Sequence, residues 1–266
     1  MSIKNYLRER FFPHMWCPGC GHGIVLNALL RAIEKLGLNK NDIVMVSGIG
    51  CSSRISGYVD FHTLHTIHGR ALAFATGVKM SRPELNLIVP MGDGDALSIG
   101  GNHFIHAARR NIDMTAIVMN NRIYGMTGGQ YSPLSGYGTS ATTAPYSNID
   151  HAFDVVKLAE SAGASFVART TVYHVQQLAD IIRQAIEHKG FSVVEALTQC
   201  PTYFGRKNRL GSAVDMMRHF KDSTTPIGSK AKQENPELIE RGVFVQKDTP
   251  EYCQEYDKVI ERAMKG

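Results

Sequence analysis

Oxygen-bearing side chains follow two neighbouring apolar runs of the chain. Asp93 lies in the motif Gly-Asp-Gly-Asp at 92–95 after the first run, and Asn121 closes the second. Mg²⁺ binds carboxylate, amide and carbonyl oxygens in near-octahedral geometry, together with phosphate oxygens of a ligand. Asp93, Asn121 and the backbone carbonyl of Ile123 can supply oxygens of these kinds. The pattern therefore predicts a magnesium ion that holds a diphosphate group.

Four of the five cysteines stand in three separate segments of the chain. Cys17 and Cys20 form a Cys-X-X-Cys pair, which by itself is as consistent with zinc or a redox pair as with iron. Cys51 and Cys200 each follow a predicted strand, so we expect both at the sheet edge that carries the magnesium ligands. Cys253 lies outside these motifs and is predicted to be a spare thiol or a packing residue. The first four predict a thiolate metal centre beside the diphosphate site.

Alternating helical and strand patterns position these residues. The predicted helices are 22–36, 69–80, 97–109, 151–162 and 174–188, and the predicted strands are 42–47, 85–90, 114–120, 164–169 and 191–197. This alternation is typical of an α/β fold in which a parallel sheet carries helices on both faces. Open sheets of this class bind ligands at the carboxyl ends of their strands, where the polar residues and cysteines fall.

Two stretches depart from this alternation. The segment 123–150 is rich in Gly, Ser, Thr and Tyr and is too long for a simple connection, which is typical of a functional loop. From about residue 206, several prolines interrupt the pattern. We therefore predict a cofactor-binding domain over 1–205 and a C-terminal arm over 206–266 that packs on this domain or on a partner subunit.

Composition and charge narrow the class of protein. The formal charge is +5, with 29 basic and 24 acidic residues spread along the chain, and no recognisable nucleic-acid-binding module is present, so we expect no nucleic-acid partner. A mildly basic surface could instead attract an acidic protein. No apolar run approaches the roughly twenty residues of a membrane span, and the first twelve residues lack the apolar core of a secretion signal. We expect a cytoplasmic protein whose cysteines are reduced.

Ordered motifs along the chain resemble a known enzyme family. They are WCPGCGHG at 16–23, SGIGCSSRISGY at 47–58, HTIHGRALAFATGVK at 65–79, GDGDALSIGGNHFIHAARRN at 92–111, NNRIYGMTGGQYSP at 120–133 and CPTYFG at 200–205. The acidic and amide motifs are similar to those of the thiamine-diphosphate fold. The whole set resembles the β subunit of 2-oxoacid:ferredoxin oxidoreductases and spans about three-quarters of the chain.

The resemblance implies three cofactors: thiamine diphosphate, Mg²⁺ and one four-iron four-sulfur cluster. It assigns the cluster to Cys17, Cys20, Cys51 and Cys200, and Mg²⁺ to Asp93, Asn121 and Ile123. The further residues that we expect at the thiamine diphosphate are Ile49, Gly50, Cys51, Ser52, His68, Gly92, Gly94, Asp95, Gly125, Met126 and Thr127. Among these, His68 precedes a predicted helix, and its imidazole could donate to a phosphate oxygen.

The substrate assignment depends on weaker signals. Many relatives that act on longer 2-oxoacids have lysine at the position of Gly128, so this chain lacks that cation. Arg54 is a candidate substitute, because an arginine can clamp a substrate carboxylate through two hydrogen bonds, although it is equally consistent with an ordinary surface arginine. The segments QYSPLS and RTTVYH look more like those of the 2-oxoglutarate enzymes than those of the pyruvate enzymes.

The activity that the resemblance implies is coenzyme A-dependent oxidative decarboxylation of 2-oxoglutarate to succinyl-CoA with reduction of ferredoxin, or the reverse carboxylation. A separate α subunit is expected to supply a pyrimidine-binding domain, its activating glutamate and the coenzyme A site. The alternatives are a β subunit that acts on pyruvate or many 2-oxoacids, a non-redox thiamine-dependent enzyme, and a zinc-stapled scaffold subunit without catalytic function.

Overall fold

A single twisted sheet of eight strands organises the chain. The computed structural model describes residues 3–266, and within them the strand order is β2-β1-β3-β4-β8-β7-β10-β9. Six neighbouring pairs in this order are parallel, and β10 runs antiparallel to β7. The predicted α/β fold with a parallel sheet is confirmed.

The elements have the following bounds. The strands are β1 (Ile43–Ser47), β2 (His62–His65), β3 (Asn86–Gly92), β4 (Met114–Asn120), β5 (Ile123–Tyr124), β6 (Gln130–Tyr131), β7 (Phe166–Thr171), β8 (Phe191–Leu197), β9 (Thr224–Pro226) and β10 (Ile239–Gln246). The helices are α1 (His22–Leu36), α2 (Ile55–Tyr58), α3 (Ala71–Ser81), α4 (Gly101–Arg110), α5 (Val155–Ser161), α6 (Val175–Glu187), α7 (Ala213–Asp222), α8 (Lys230–Glu234) and α9 (Tyr252–Lys265).

Apolar residues on alternate positions of the central strands form two cores. In β4, Ile117 and Met119 belong to the core that α1 and α6 cover. Ala116 and Val118 point the other way, into the core beneath α3, α4 and α5. All seven residues of β4 are buried, as expected for a strand with a packed layer on each side. The helices therefore cover both faces of the sheet.

The structure differs from the predicted elements at three places. The predicted helix 97–109 begins with a π-helical turn, Asp95–Ile99, and continues as α4. Strand β2 was not predicted, because only one of its four residues is even partly buried and its apolar signal is weak. Strands β9 and β10 were also missed, since prolines and charges interrupt the apolar pattern there. They extend the sheet with residues of the predicted C-terminal arm.

Residues 3–266 include no helix that combines the length and the apolar character needed to cross a bilayer. The long segment 123–150 contains the small hairpin of β5 and β6. Its remaining turns are held by buried polar side chains, and Asn148 Nδ2 donates to the carbonyl oxygens of Ser135 (2.9 Å) and Gly136 (3.2 Å). Ser132 of the same loop donates to Asp93 Oδ2 after β3, which fixes the loop against the carboxyl edge of the sheet.

Candidate active site

A cavity of about 180 Å³ opens at the carboxyl ends of β1, β3 and β4. We call it the acidic cavity, because two aspartates lie in its wall. Its lining residues are His22, Ile49, Gly50, Cys51, Ser52, His68, Gly92, Asp93, Gly94, Asp95, Asn121, Ile123, Tyr124, Gly125, Met126 and Thr127. The structure thus brings together every residue that the sequence predicts at the diphosphate and its magnesium ion.

Asp93 is buried at the end of β3, and its carboxylate is held by a loop residue. Ser132 Oγ donates to Asp93 Oδ2 at 2.7 Å. Burial raises the pKa of Asp93 to about 6, although this hydrogen bond opposes the shift. Asn121 and Ile123 line the cavity with it, and both are buried. The Asp93 carboxylate and the Asn121 amide are oxygen donors of the kind that a hard cation binds. Such a cation would stabilise the carboxylate in its charged form.

Asp95 lies two residues further on and organises the opposite wall. Its Oδ1 accepts hydrogen bonds from Gly69 N at 2.7 Å and Ile49 N at 3.3 Å, and it contacts His68 Nδ1 at 2.7 Å. Its Oδ2 is buried without a hydrogen-bond partner in the described range. Since the carboxylate occupies one ring nitrogen, the other nitrogen of His68 remains available for a ligand. Asp95 is therefore a positioning residue for His68.

Glycines permit the close approach of the cavity walls. A Cβ atom at Gly94 would lie 2.2 Å from Cζ of Tyr124, and one at Gly48 would lie 2.2 Å from Asp95 Oδ2. Neither position has room for a side chain without displacement of its neighbour. The Tyr124 hydroxyl donates to the Gly94 carbonyl oxygen at 3.2 Å. Tyr124 and the Gly-Asp-Gly turn therefore form one packed unit.

The four cysteines of the sequence motifs surround a second, smaller space of about 60 Å³, which we call the thiolate cavity. Cys17, Cys20, Cys51 and Cys200 all line it. Such a volume holds several atoms of the size of a water molecule. Between residues 3 and 266, no three His, Cys, Asp or Glu side chains converge closely enough to ligate one metal ion.

Burial controls the protonation of two of these thiols. It raises the pKa of Cys20 to about 12 and that of Cys51 to about 11, and the neighbouring cysteines add to both shifts by charge repulsion. Thiols with such pKa values are protonated at neutral pH unless a cation replaces the protons. The donor set therefore fits a positively charged metal centre that binds several thiolates.

Contacts between distant segments hold the thiolate cavity in shape. Gln199 Nε2 donates to the carbonyl oxygen of Gly19 at 2.9 Å, which ties the Cys-X-X-Cys turn to the end of β8. Trp16 Nε1 donates to the carbonyl oxygen of Cys51 at 2.7 Å. Cys253, by contrast, is buried far along the chain and contacts Met80 Sδ at 3.6 Å. It lies outside both cavities.

The two cavities share a wall. Cys51, Asn121, Gly125 and Met126 line both of them. A Cβ atom at Gly125 would lie 3.5 Å from Cys51 Sγ and 3.7 Å from Cys200 Sγ. This glycine therefore sits directly between the acidic cavity and two of the sulfurs. A group bound in one cavity would be in close proximity to a group bound in the other.

Several residues at the site were missed by sequence reasoning. Ser132 holds Asp93 and lies inside the quoted motif at 120–133, but nothing in the sequence pairs it with Asp93. His22 lines the acidic cavity as the first residue of α1, and burial lowers its pKa to about 4. Tyr124 falls inside the quoted NNRIYG motif and could have been proposed from it. The missed residues share one property: their role depends on contacts outside their own segment.

A buried network of hydrogen bonds and an ion pair around Glu195 supports the turn at Asn120-Asn121. Glu195 on β8 accepts hydrogen bonds from Asn120 Nδ2 at 2.8 Å and from Arg169 Nε at 2.5 Å. Asn120 Oδ1 in turn accepts from the backbone N–H of Arg122 at 3.1 Å, where the chain adopts a φ of 61°. A left-handed conformation is costly for arginine, so the network helps to hold the turn that presents Asn121.

Arg54 and Gly128 lie outside both cavities. Arg54 is exposed on the turn after Cys51 and lines neither cavity. Its suggested contact with substrate therefore stays a prediction. Gly128 has a φ of 112°, a backbone conformation that favours glycine. The backbone at this position therefore favours the glycine of this chain over the lysine of many relatives.

Comparisons with known proteins agree with this geometry. The family model described as the C-terminal TPP binding domain of thiamine pyrophosphate enzymes matches residues 48–196. The chain is 52% identical to the 2-oxoglutarate synthase subunit KorB of Methanothermobacter marburgensis over 98% of this chain and 94% of the relative. It is 48% identical to the KorB subunit of Methanocaldococcus jannaschii over 97% of each chain.

A solved structure is also similar. It is a 2-oxoglutarate:ferredoxin oxidoreductase from Magnetococcus marinus with 2-oxoglutarate, coenzyme A and succinyl-CoA bound. The TM-score is 0.90 at 36% sequence identity, and the match covers 99% of this chain and 91% of the other. The likeness therefore extends over the strands that carry both cavities and over the C-terminal strands.

Proposed function

This chain belongs to the β-subunit family of 2-oxoacid:ferredoxin oxidoreductases, in the branch of the 2-oxoglutarate synthases, and from that premise we propose its reaction. The proposed reaction is the coenzyme A-dependent oxidation of 2-oxoglutarate to succinyl-CoA and CO₂ with reduction of ferredoxin, or its reverse. The observation that carries the proposal is the shared wall of the acidic and thiolate cavities, at Cys51 and Gly125.

The acidic cavity is the proposed site of thiamine diphosphate and Mg²⁺. Asp93, Asn121 and the carbonyl of Ile123 would ligate the metal, because they are the hard oxygen donors in its wall. His68 would donate to the diphosphate from the position that Asp95 gives it. When bound, thiamine diphosphate supplies an electron sink for loss of CO₂ from a 2-oxoacid. The chain's own part is to orient the cofactor and to exclude water around it.

The thiolate cavity is the proposed site of one four-iron four-sulfur cluster. Cys17, Cys20, Cys51 and Cys200 would ligate it, and such clusters accept electrons singly. A structural zinc ion, the alternative, requires four sulfurs about 2.3 Å from one point. The arrangement of the thiols around a space of about 60 Å³ favours the larger group.

A partner subunit is proposed to complete the site. The titratable residues in the acidic cavity wall are His22, His68, Cys51, Tyr124 and the two aspartates, so no glutamate of the described range reaches it. The activating glutamate expected for thiamine diphosphate would then come from an α subunit, as would the coenzyme A site. The relatives are themselves named as subunits, which supports this assembly.

Co-expression with the α subunit tests the proposal. The anaerobically purified complex should be brown, should contain about four iron and four sulfide per β chain, and should reduce ferredoxin only when 2-oxoglutarate and coenzyme A are both present. Parallel assays with pyruvate and other 2-oxoacids measure specificity. We expect the largest kcat/KM with 2-oxoglutarate.

Each alternative has its own outcome. Preferred turnover of pyruvate would replace the substrate proposal with the broad-range or pyruvate enzyme. A colourless complex that contains zinc would refute the cluster. Decarboxylation of the 2-oxoacid without reduction of any electron acceptor would indicate a non-redox thiamine-dependent enzyme.

A further inference from the structure

A cluster of exposed cations begins shortly after the last cysteine of the thiolate cavity. The segment 206–218 contains four basic residues and one acidic residue, a net charge of +3 within thirteen residues of a chain whose formal charge is +5. The cations are Arg206, Lys207, Arg209 and Arg218, and all four are exposed. We call these four side chains the basic surface.

Among residues 3–266 the basic surface keeps a net positive charge, although an electrostatic interaction between Arg218 and Asp215 offsets part of it. None of its four cations forms an ion pair or a side-chain hydrogen bond with any other residue of the range 3–266. The acid of the segment, Asp215, accepts instead from Ser212 N at 2.8 Å and Ser212 Oγ at 2.7 Å, where it closes the N-terminal cap of α7. The cations therefore project their field into solvent.

Hydrogen bonds hold the backbone beneath these cations in one conformation. Asn208 Oδ1 accepts from Ser140 N at 2.8 Å, and Asn208 Nδ2 donates to the carbonyl oxygens of Ser140 (3.0 Å) and Phe204 (2.9 Å). The turn 206–209 is thereby fastened to the long loop. Arg218 projects from α7, whose start is fixed by the cap. The basic surface is thus presented by fixed elements rather than by a loose tail.

The same elements rest directly on the thiolate cavity. A Cβ atom at Gly19, between Cys17 and Cys20, would lie 2.4 Å from the Cβ of Ala213 and 3.6 Å from Cγ of Pro201. Helix α7 therefore begins against the Cys-X-X-Cys turn. Cys17 is itself exposed. An electron on a cluster in this cavity would reach the molecular surface here without crossing the sheet.

Apolar side chains lie among the cations. Val214 is 56% exposed and Leu210 is 40% exposed. Val214 and Arg218 are four residues apart on α7, so they share one face of the helix. An exposed apolar centre with charged neighbours is typical of surfaces at which proteins associate transiently.

We propose that the basic surface is the docking site of an acidic one-electron carrier protein of the ferredoxin class. This inference rests on the proposed function, because it needs an electron donor in the thiolate cavity. Each transfer oxidises that donor by one electron and reduces the carrier by one, with no bond formed or broken. Two encounters then remove the two electrons released per 2-oxoacid. The positive field would speed each encounter, and salt would weaken it.

Charge reversal tests the docking site in the assembled αβ enzyme. The variant Arg206→Glu/Lys207→Glu is compared with wild type in 2-oxoglutarate-dependent reduction of a purified acidic single-cluster ferredoxin and of methyl viologen, at low and high ionic strength. We expect KM for ferredoxin to rise about 10- to 100-fold at low salt, and its salt dependence to shrink, while the rate with viologen is unchanged.

The matched control is Lys230→Glu/Lys247→Glu, which makes the same change of charge at two exposed lysines without ion pairs in the described range. Lys247 lies at the amino end of β7, opposite the carboxyl edge that carries the two cavities, because its backbone N–H donates to the carbonyl oxygen of Ser165 just before β7. We expect this control to keep KM for ferredoxin within about threefold of wild type. An equal rise in both double variants would mean that overall charge, and not the basic surface, guides the carrier.

The remaining outcomes separate the docking site from the reaction. Unchanged KM for ferredoxin in the first variant, with normal viologen reduction, overturns the docking site and leaves the proposed function standing. Absence of viologen reduction in the wild type overturns the proposed function itself. Loss of α-subunit binding on size exclusion would show that the α subunit covers this surface. If the double variant does not fold, Arg218→Glu gives the same test from α7.

Discussion

The acidic cavity and the thiolate cavity meet at Cys51, but they are held together by different interactions. In the acidic cavity the carboxylates already have donors from the chain, such as Ser132 for Asp93 and Gly69 for Asp95. In the thiolate cavity burial raises the pKa values of Cys20 and Cys51, and the neighbouring sulfurs would repel one another once they lost their protons. The first is therefore preformed for its ligand, whereas the second needs its metal centre to offset repulsion and desolvation.

The two cavities should lose their ligands in different ways when a contact is removed. A preformed cavity should bind its ligand reversibly and lose affinity gradually when one contact is removed. A cavity that depends on several thiolates should lose its metal centre in one step when one of them is removed. Each remaining sulfur still bears the cost of burial, and fewer bonds to the metal centre offset that cost.

Removal of one sulfur should have the largest effect. We expect Cys200→Ser to abolish the cluster, since an alkoxide-forming hydroxyl is a far poorer ligand for iron than a thiolate. The iron and sulfide contents of the anaerobically purified complex should fall to background, and ferredoxin reduction should be lost. Cys253→Ser is the control and should keep full iron content, because this cysteine lies outside the thiolate cavity. Full iron in Cys200→Ser would contradict the assignment of the four ligands.

Removal of one oxygen ligand should act on the other cavity alone. Asp93→Ala deletes the charged ligand, so thiamine-diphosphate affinity measured by calorimetry with Mg²⁺ should fall at least about 100-fold. Iron content should stay at the wild-type value, because Asp93 does not line the thiolate cavity. Ile123→Val, which keeps the backbone carbonyl, should bind within about twofold of wild type. Unchanged binding in Asp93→Ala would remove the magnesium site from this cavity.

Crowding of the cavity wall should give a smaller effect. In Gly94→Ala the new methyl group would meet the Tyr124 ring at 2.2 Å, so the ring must move and its hydrogen bond to residue 94 is strained. We expect thiamine-diphosphate binding to weaken about two- to tenfold, because overpacking costs about 1–3 kcal/mol and roughly half of that cost would fall on the ligand. Gly101→Ala is the matched control, because nothing lies within 4 Å of its added Cβ. Equal affinity in both variants would show that this wall is compliant.

Arg54 should give the smallest effect. Because its guanidinium is exposed, water screens any pairing with a substrate carboxylate, and Arg54→Met should lower kcat/KM for 2-oxoglutarate only about two- to fivefold. Iron content and cofactor binding should be unchanged. A loss of thirtyfold or more would mean that the α subunit buries this arginine at the substrate. Wild-type kinetics in this variant would mean that Arg54 is an ordinary surface residue. The cation that holds the distal carboxylate of the substrate would then be sought on the α subunit.

Much of the acidic cavity could be predicted because its main parts are local in sequence. The apolar run before Asp93, the glycine turn and the next run ending at Asn121 form one strand-helix-strand unit, and parallel strands place such ends side by side. The π-helical turn Asp95–Ile99 could not be predicted from periodicity, since its residues also suit an α-helix. Strand β10 was missed for a related reason, because its partly buried residues lack a clear alternation.

The available chemistry follows from residue types and strand patterns alone: which side chains carry hard oxygens and thiols, and which strand ends they follow. These properties are covalent or local, so they survive without a fold. Only the tertiary structure decided that Ser132 reaches Asp93, that Gly125 stands between two sulfurs and the acidic cavity, and that α7 rests on the Cys-X-X-Cys turn. Such contacts join segments tens to hundreds of residues apart. They depend on how two helical layers and the carboxyl edge of the sheet pack together, a property of the whole chain.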